Sequence, residues 1–387
     1  MADVPLFPEK NMCFMRMFFS LPIAFYREND YTVFHSEIVL VQCEGGLRMP
    51  VNIRDVARRC GLSISTVSKV FNGYPDISEA TRRQVTEAAR DIGYRPNALA
   101  RALKTNRSYN IGVLFVDENI SGLTHPFFAE VLNAFKAEAE KHGFDITFIN
   151  HNIGTMEMTY LEHCRYRNVD GVCLACVDFY SPEVAELVGS DIPCVTIDHA
   201  FAGVPCVISD NLGGIQMLVD RAVALGHRKI AYIHGQRNSA VTENRIRGFY
   251  DAMARHGLSV PEAYVIQGRY DDAENVRGCL SALLDLDDRP SCVLLPDDAC
   301  YFGVLDTVRE RGLCVPGDIS LAGYDGIRAA QTTHPRITTV RQDSEALGSQ
   351  AALRLIDTIN HANNDGGAML IPATLIEGES LGRVSEE

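Results

Sequence analysis

The chain has 387 residues, 46% hydrophobic and 22% charged, enough to bury a large core shared between two or three domains. Its formal charge of −14 hides an asymmetry: residues 49 to 107 carry eleven Lys/Arg against five Asp/Glu, while residues 1 to 48 carry four against six. A uniformly acidic protein would be repelled by nucleic acid, so a basic segment on an acidic body predicts phosphate contact at that segment alone. The apolar stretch Met12 to Phe25 is interrupted by Arg16, is too short to span a membrane, and is followed by no small-residue cleavage site. Neither a membrane anchor nor an export signal is expected, and the chain is read as cytoplasmic. Residues 1 to 48 fit no later segment, and Met49 is the expected start. Glu44, Gly45 and Gly46 can be encoded by a purine-rich ribosome-binding sequence just upstream of it.

Residues 50 to 95 read as three helices. Asn52 can cap a short one with Ile53, Val56 and Ala57 at helical spacing, which Gly61 ends. After Ser63 a second runs from Ile64 to Phe71, with Val67, Val70 and Phe71 on one side and Ser65, Thr66, Ser68 and Lys69 on the others. Two short helices about a glycine turn predict a helix-turn-helix. Ser78 caps a third, to about Ile92, with Val85, Ala88, Ala89 and Ile92 inward. Residues 96 to 108 form a linker in which Pro96 opens a two-turn helix over Asn97 to Leu103. Such a helix is barely stable alone in water and is expected to form on DNA.

From residue 109 short strands alternate with amphipathic helices. IGVLFV, a helix from Pro126 to His142, DITFIN, a helix over Met156 to Arg167, DGVCLAC and CVTID make one doubly wound half. The second is expected to start at Cys206 with VISD, followed by helices over Gly213 to Leu225 and Arg245 to His256, the strands KIAYIHG, SCVLLPD and ISLAGYD, and a single final strand in LIPATLIEGESL. Ligands of such folds bind at the carboxyl ends of the strands, in the cleft between the halves. Asp325, at the end of ISLAGY, can accept two hydroxyl hydrogen bonds there. Asp297 after SCVLLP and Phe127 in THPFF fall at strand or loop ends facing the same cleft, although an aromatic opening an amphipathic helix serves a core as readily.

The segments IRDVARRCGLSISTVSKVFNG and ISEATRRQVTEAARDIGYRPNALARAL resemble the headpiece of the lactose-repressor/galactose-repressor (LacI/GalR) family almost position for position. DNLGGIQMLVDRAVALGHRKIAYIHG, RIRGF, VPGDISLAGYDG and ITTVRQD resemble that family's effector domain in the expected order, so the likeness covers residues 50 to 387. It implies an all-α helix-turn-helix headpiece joined to an α/β, periplasmic-binding-protein-like body of two doubly wound parallel-sheet subdomains over residues 109 to 387. It also implies a DNA-binding regulator, a repressor acting as a homodimer on a near-palindromic operator under a sugar or sugar-derived effector. Leu103 matches the family's hinge leucine, which paired across a dimer wedges into the minor groove; the alternative is packing on the body. Ala100 is assigned with it to the DNA-contacting set. On the second helix Ile64, Ser65 and Lys69 can reach base edges, Lys69 through guanine or else a phosphate, while Thr66, Ser68 and Asn72 suit phosphates. Arg245 resembles the family's ligand-contacting arginine, and Tyr270 stands where sugar-responsive relatives place a tryptophan, a residue this chain lacks.

Other chemistries find little support. Twelve cysteines lie mostly in apolar strand-like runs, and the CxxC of Cys173 and Cys176 has no second pair to complete a zinc site, so neither metal nor cofactor is expected. Phosphate-cradling glycine loops, a GxSxG elbow and HExxH are all absent from the sequence, which argues against an enzyme. A solute-binding protein would have an export signal and no headpiece.

Overall fold

The computed structural model describes residues 51–95, 107–116, 122–237, 239–361 and 366–384. Residues 1 to 48, Ala100, Leu103 and the linker helix lie outside the described residues.

Helices α1 (Ile53–Cys60), α2 (Ile64–Phe71) and α3 (Glu79–Ile92) share one small core in which Val56, Ala57, Val67, Val70, Val85, Ala88 and Ala89 are buried. A reciprocal capping box between Asn52 and Asp55 starts α1, and Gly61 stops it in the left-handed conformation at φ 67°. Ser63 accepts a hydrogen bond from the Thr66 N–H to start α2, and Ser78 does the same for Thr81 and α3. The turn between α1 and α2 is therefore written in the caps on either side of it.

The body has two six-stranded sheets. Strands β1 (Asn110–Phe115), β2 (Asp145–Phe148), β5 (Gly171–Ala175), β6 (Cys194–Ile197), β7 (Cys206–Ser209) and β13 (Ala368–Ile371) build the first, all parallel, in the order β13-β7-β6-β5-β1-β2. Strands β8 (Ile230–His234), β9 (Val265–Gln267), β10 (Cys292–Leu294), β11 (Ser320–Asp325), β12 (Thr338–Arg341) and β14 (Thr374–Ile376) build the second, in the order β14-β12-β11-β10-β8-β9, parallel except for β14. A two-stranded hairpin of β3 (Asn152–Ile153) and β4 (Met156–Glu157) stands apart. Helices α4 (Pro126–Lys141), α5 (Tyr160–Arg167), α6 (Pro182–Val188), α7 (Asn211–Ala224), α8 (Ala240–Arg255), α9 (Ala273–Leu284), α10 (Ala299–Glu310) and α11 (Ser344–Asn360) cover the sheets.

Four expectations from the sequence are corrected. The strand VISD pairs with β6, with Thr196 opposite Cys206, and so closes the first half instead of opening the second. The helix drawn from Met156 begins at Tyr160, because Thr159 and Glu162 form a capping box that fixes its first turn, and the residues before it fold back as the hairpin. Ser239 caps α8, which places Arg245 well inside the helix and not at its start. The single final strand is two, one in each sheet. Pro372 has no N–H to donate, so the ladder of β13 ends there and the chain changes lobes. The chain thus crosses between lobes three times: after β7, after β12 and after β13. After the second crossing, α11 returns to pack Leu347, Ala351, Ala352 and Leu355 into the first lobe's core with Val131 and Phe135 of α4.

Candidate functional site

In the second sheet the strand order reverses at β8 and β10, which opens a crevice above their carboxyl ends. Gly235 follows β8, and a Cβ there would fall 2.0 Å from the Tyr270 ring, so only glycine lets Tyr270 lie over that strand end. Arg245 reaches in from α8. Its Nε donates to Asn211 Oδ1 at 2.8 Å and its Nη1 to the Pro296 carbonyl at 3.1 Å, and its guanidinium lies 3.6 Å from the Tyr324 ring centroid and 5.6 Å from that of Tyr270. Asp325 Oδ1 stands 3.9 Å from Arg245 Nη2 and accepts a 2.7 Å bond from Gln342 Nε2. The predicted residues Arg245, Tyr270, Asp297 and Asp325 therefore gather around one buried cation.

Asp297 is held differently from Asp325. Its two oxygens accept the N–H groups of Asp271 (2.6 Å) and Cys300 (2.8 Å), so it ties the loop bearing Tyr270 to the end of β10 and starts α10. Asp298 next to it is wholly structural, receiving Thr339 Oγ1, Gly326 N and Ile327 N. Phe127 is enclosed in the first lobe's core with Val131 and Phe135. Its neighbour His125 caps α4, accepting the Phe128 N–H at Nδ1 (3.4 Å). Glu130 of α4 also meets Arg328 at 3.5 Å and Ser344 at 2.9 Å, a polar link between the lobes.

Several cleft groups escaped the sequence reading. Asp198 ends β6 as Asp325 ends β11, and the same strand-end rule would have found it. Its Oδ1 accepts the Ser209 N–H at 2.8 Å, while His199 beside it stacks on Phe179 at 4.4 Å. Ser209 Oγ, Tyr232 OH and Gln342 Oε1 are buried without a hydrogen-bond partner among the described residues, and all three border this network. No local pattern announces them, because each belongs to an apolar strand or a crossover. Cys176, Asp198, Asp271 and Asp325, all at strand or loop ends here, have positive φ, a conformation non-glycine residues resist.

Burial pushes Asp198 up to about 6, against the pull of the Ser209 N–H and Arg245. Burial and the charge of Asp325 do the same to Asp297, also to about 6. Asp325 is raised by burial as well, with Arg245 opposing. Burial alone would lower Arg245, but Tyr270, Tyr324 and Asp325 outweigh it and keep the guanidinium charged. The Arg245 guanidinium thus sits among carboxyls whose burial has raised them from the ordinary range, between the faces of Tyr324 and Tyr270. Such a site accepts hydrogen bonds from a neutral, hydroxyl-rich molecule better than it holds an anion.

The headpiece presents a second surface. Ile64, at the start of α2, is 46% exposed and covers no core. Ser65 and Thr66 Oγ atoms lie 2.7 and 2.9 Å from Ser63 Oγ, clustered at the cap. Asn72 Nδ2 donates to the Ser68 carbonyl at 2.7 Å and closes the helix end. Lys69 Nζ lies 2.5 Å from Asp76 Oδ2.

The family model described as bacterial regulatory proteins, lacI family, matches residues 52–97, and a periplasmic binding protein-like domain model matches residues 219–381. The HTH-type transcriptional repressor PurR of Proteus mirabilis (strain HI4320) is 31% identical over 334 residues, which span 85% of this chain and 96% of that protein. The chain belongs to the LacI family. PurR of Escherichia coli O139:H28 matches at the same 31% identity over 334 residues. Among solved LacI-family structures, the lac repressor dimer bound to operator and the anti-inducer ONPF aligns with a TM-score of 0.73 at 25% identity, covering 86% of this chain and all (100%) of that one. The complex of the transcriptional regulator CelR with cellobiose aligns at 0.64 and 26% identity, covering 85% and 99%. The protein is a DNA-binding transcriptional regulator with a LacI-type headpiece and a periplasmic-binding-protein-like body. Among the described residues no helix is long and apolar enough to cross a membrane.

Proposed function

We propose that the protein is a repressor that binds a near-palindromic operator as a homodimer and responds to a sugar or sugar-derived effector held at Arg245, Tyr270, Asp297 and Asp325. The observation that carries the effector reading is the composition of the crevice: one guanidinium clamped on the Tyr324 face, carboxyls raised by burial, and three buried polar atoms with no hydrogen-bond partner among the described residues. Hydroxyls of a polyol donate to carboxylates and Gln342 Oε1 and accept from Arg245, while an apolar sugar face meets Tyr270. The relative crystallised with cellobiose supports the same chemistry. In this reading the protein acts in the cytoplasm, by binding and not by catalysis.

On the headpiece, Ile64, Ser65 and Lys69 read base edges while Thr66, Ser68 and Asn72 hold phosphates, and two copies present α2 to half-sites one helical turn apart. Ala100 and Leu103 complete the contact at the operator centre. Thermal unfolding of the full chain against mono- and disaccharides, their deoxy analogues, nucleobases and amino acids tests the effector reading. A saturating sugar, at about 100 times its Kd, adds about 2.7 kcal/mol and raises Tm. A rise with nucleobases or amino acids alone replaces the sugar with that class. The operator reading is tested by binding to duplexes at graded salt, where affinity falls steeply as salt rises.

A further inference from the structure

Lys69 and Asp76 lie seven residues apart on different elements, and a deliberate arrangement brings them together. The Gly73 N–H donates to the Val70 carbonyl and the Tyr74 N–H to that of Lys69, both at 3.1 Å, folding the loop back on the end of α2. Arg82 of α3 then clamps the loop from behind, donating to the Tyr74 carbonyl at 3.1 Å and to the Val70 carbonyl at 3.4 Å. The result sets Asp76 Oδ2 2.5 Å from Lys69 Nζ, with the Tyr74 ring centroid 5.9 Å from the same nitrogen. Both side chains stay about half exposed on the headpiece surface.

We propose that Asp76 is a positioning residue for DNA reading: it holds one of the three ammonium donors of Lys69 and cancels its charge, leaving two directed donors for a guanine edge. An unpaired lysine on a flexible stem is a point charge that any phosphate satisfies. Paired with Asp76, it offers little net attraction to a phosphate, and the carboxylate repels one, yet O6 and N7 of a guanine can still each accept an N–H. Asp76 thereby turns a sequence-blind contact into a sequence-dependent one. The contact also holds Lys69 firmly protonated and Asp76 firmly ionised, so the pair persists across the physiological pH range.

The inference rests on the reading of α2 as the helix that enters the major groove, and the test separates the two. Full-length protein is used to select an operator from a randomised duplex library, and affinities for that operator and a scrambled duplex are measured at several salt concentrations for Asp76→Asn, Asp76→Glu, Lys69→Ala and Lys69→Ala/Asp76→Asn. Asp76→Asn is expected to strengthen scrambled binding about two- to fivefold, to steepen its salt dependence by about one ion, and to leave operator binding unchanged or weaker. Asp76→Glu, which can still pair, restores wild-type discrimination, and the asparagine effect vanishes when Lys69 is alanine. Equal strengthening on both duplexes, or an effect that survives in the Lys69→Ala background, makes Asp76 a bulk charge and overturns the proposal. If Lys69→Ala itself changes neither affinity, α2 does not read DNA through this lysine and both readings fall together. If Lys69→Ala weakens operator binding while Asp76→Asn changes nothing, only the role of Asp76 is lost.

Discussion

Asp198 is a residue kept at a cost to the fold. Its folded pKa of about 6 lies above the ordinary 3.8, so its contribution to stability is fully present below about 4 and is lost as pH rises through about 6. Asp198→Asn retains an oxygen for the Ser209 N–H and removes the burial of charge. The variant is expected to be more stable than wild type by about 1–2 kcal/mol above pH 7, the figure being reduced for the part of the side chain open to solvent, and to lose that advantage by about pH 4. Thermal unfolding across pH 4 to 8 checks it; a difference independent of pH would mean that the carboxyl is not the source. Arg245 behaves oppositely. It is 3% exposed with its Nε and Nη1 donors engaged, and Arg245→Ala strands carboxylates in a buried site, costing about 3 kcal/mol by urea unfolding. Asp325→Asn, which still accepts from Gln342, is therefore the cleaner probe of sensing. It should fold normally and bind operator without effector as wild type does, while the effector concentration for half-response rises at least about tenfold.

At the scale of elements, the headpiece depends on its caps more than on its helices. Helices of eight residues are not stable alone, so α1 and α2 owe their existence to their caps and to the shared core with α3. Asn52→Ala removes one half of a capping box and is expected to cost about 1 kcal/mol locally, seen as faster amide exchange in α1 and α2 with no change in the body. Exchange that quickens equally in both parts would show the headpiece and body to unfold as one unit. The linker ends in a firm anchor: Arg107 donates to Asn360 Oδ1 at 2.5 Å and to the Ile359 carbonyl at 2.9 Å, at the far end of α11. Leu103, four residues earlier, is proposed to wedge the operator centre. Leu103→Ala should reduce DNA bending in a permuted-site mobility assay and reduce the penalty for changing the central base step. Unchanged bending would return Leu103 to the alternative role of packing on the body.

In the whole molecule, α11 starts directly after Gln342, whose amide holds Asp325, and ends at the carbonyls that hold Arg107. One helix therefore spans from the cleft to the anchor of the linker, and a change in lobe spacing is expected to reach the headpiece through it and the three crossings. Effector binding that draws the lobes together should shrink the radius of gyration measured by X-ray scattering, with the Glu130 to Arg328 link made or broken in step. Scattering curves that superimpose with and without a saturating effector would rule out lobe closure as the signal.

The three headpiece helices, their caps, the inward residues Val67, Val70, Val85 and Ala88, and most body strands were legible in the sequence, because caps, glycine stops and hydrophobic period are local signals. Arg245, Tyr270, Asp297 and Asp325 were named from strand ends and resemblance, and the fold brings them around one centre. What the sequence did not determine was the membership of β7 and β13 in the first sheet, since a buried parallel strand carries no mark of its neighbour. Nor did it determine that Asp297 would spend both oxygens on backbone, that Phe127 would turn into a core, or that Asp76 would meet Lys69. These depend on contacts between separate elements, such as β13 with β7 or Arg82 of α3 with the Tyr74 carbonyl in the loop after α2. Only tertiary packing decides which of many chemically equal side chains occupies such a place.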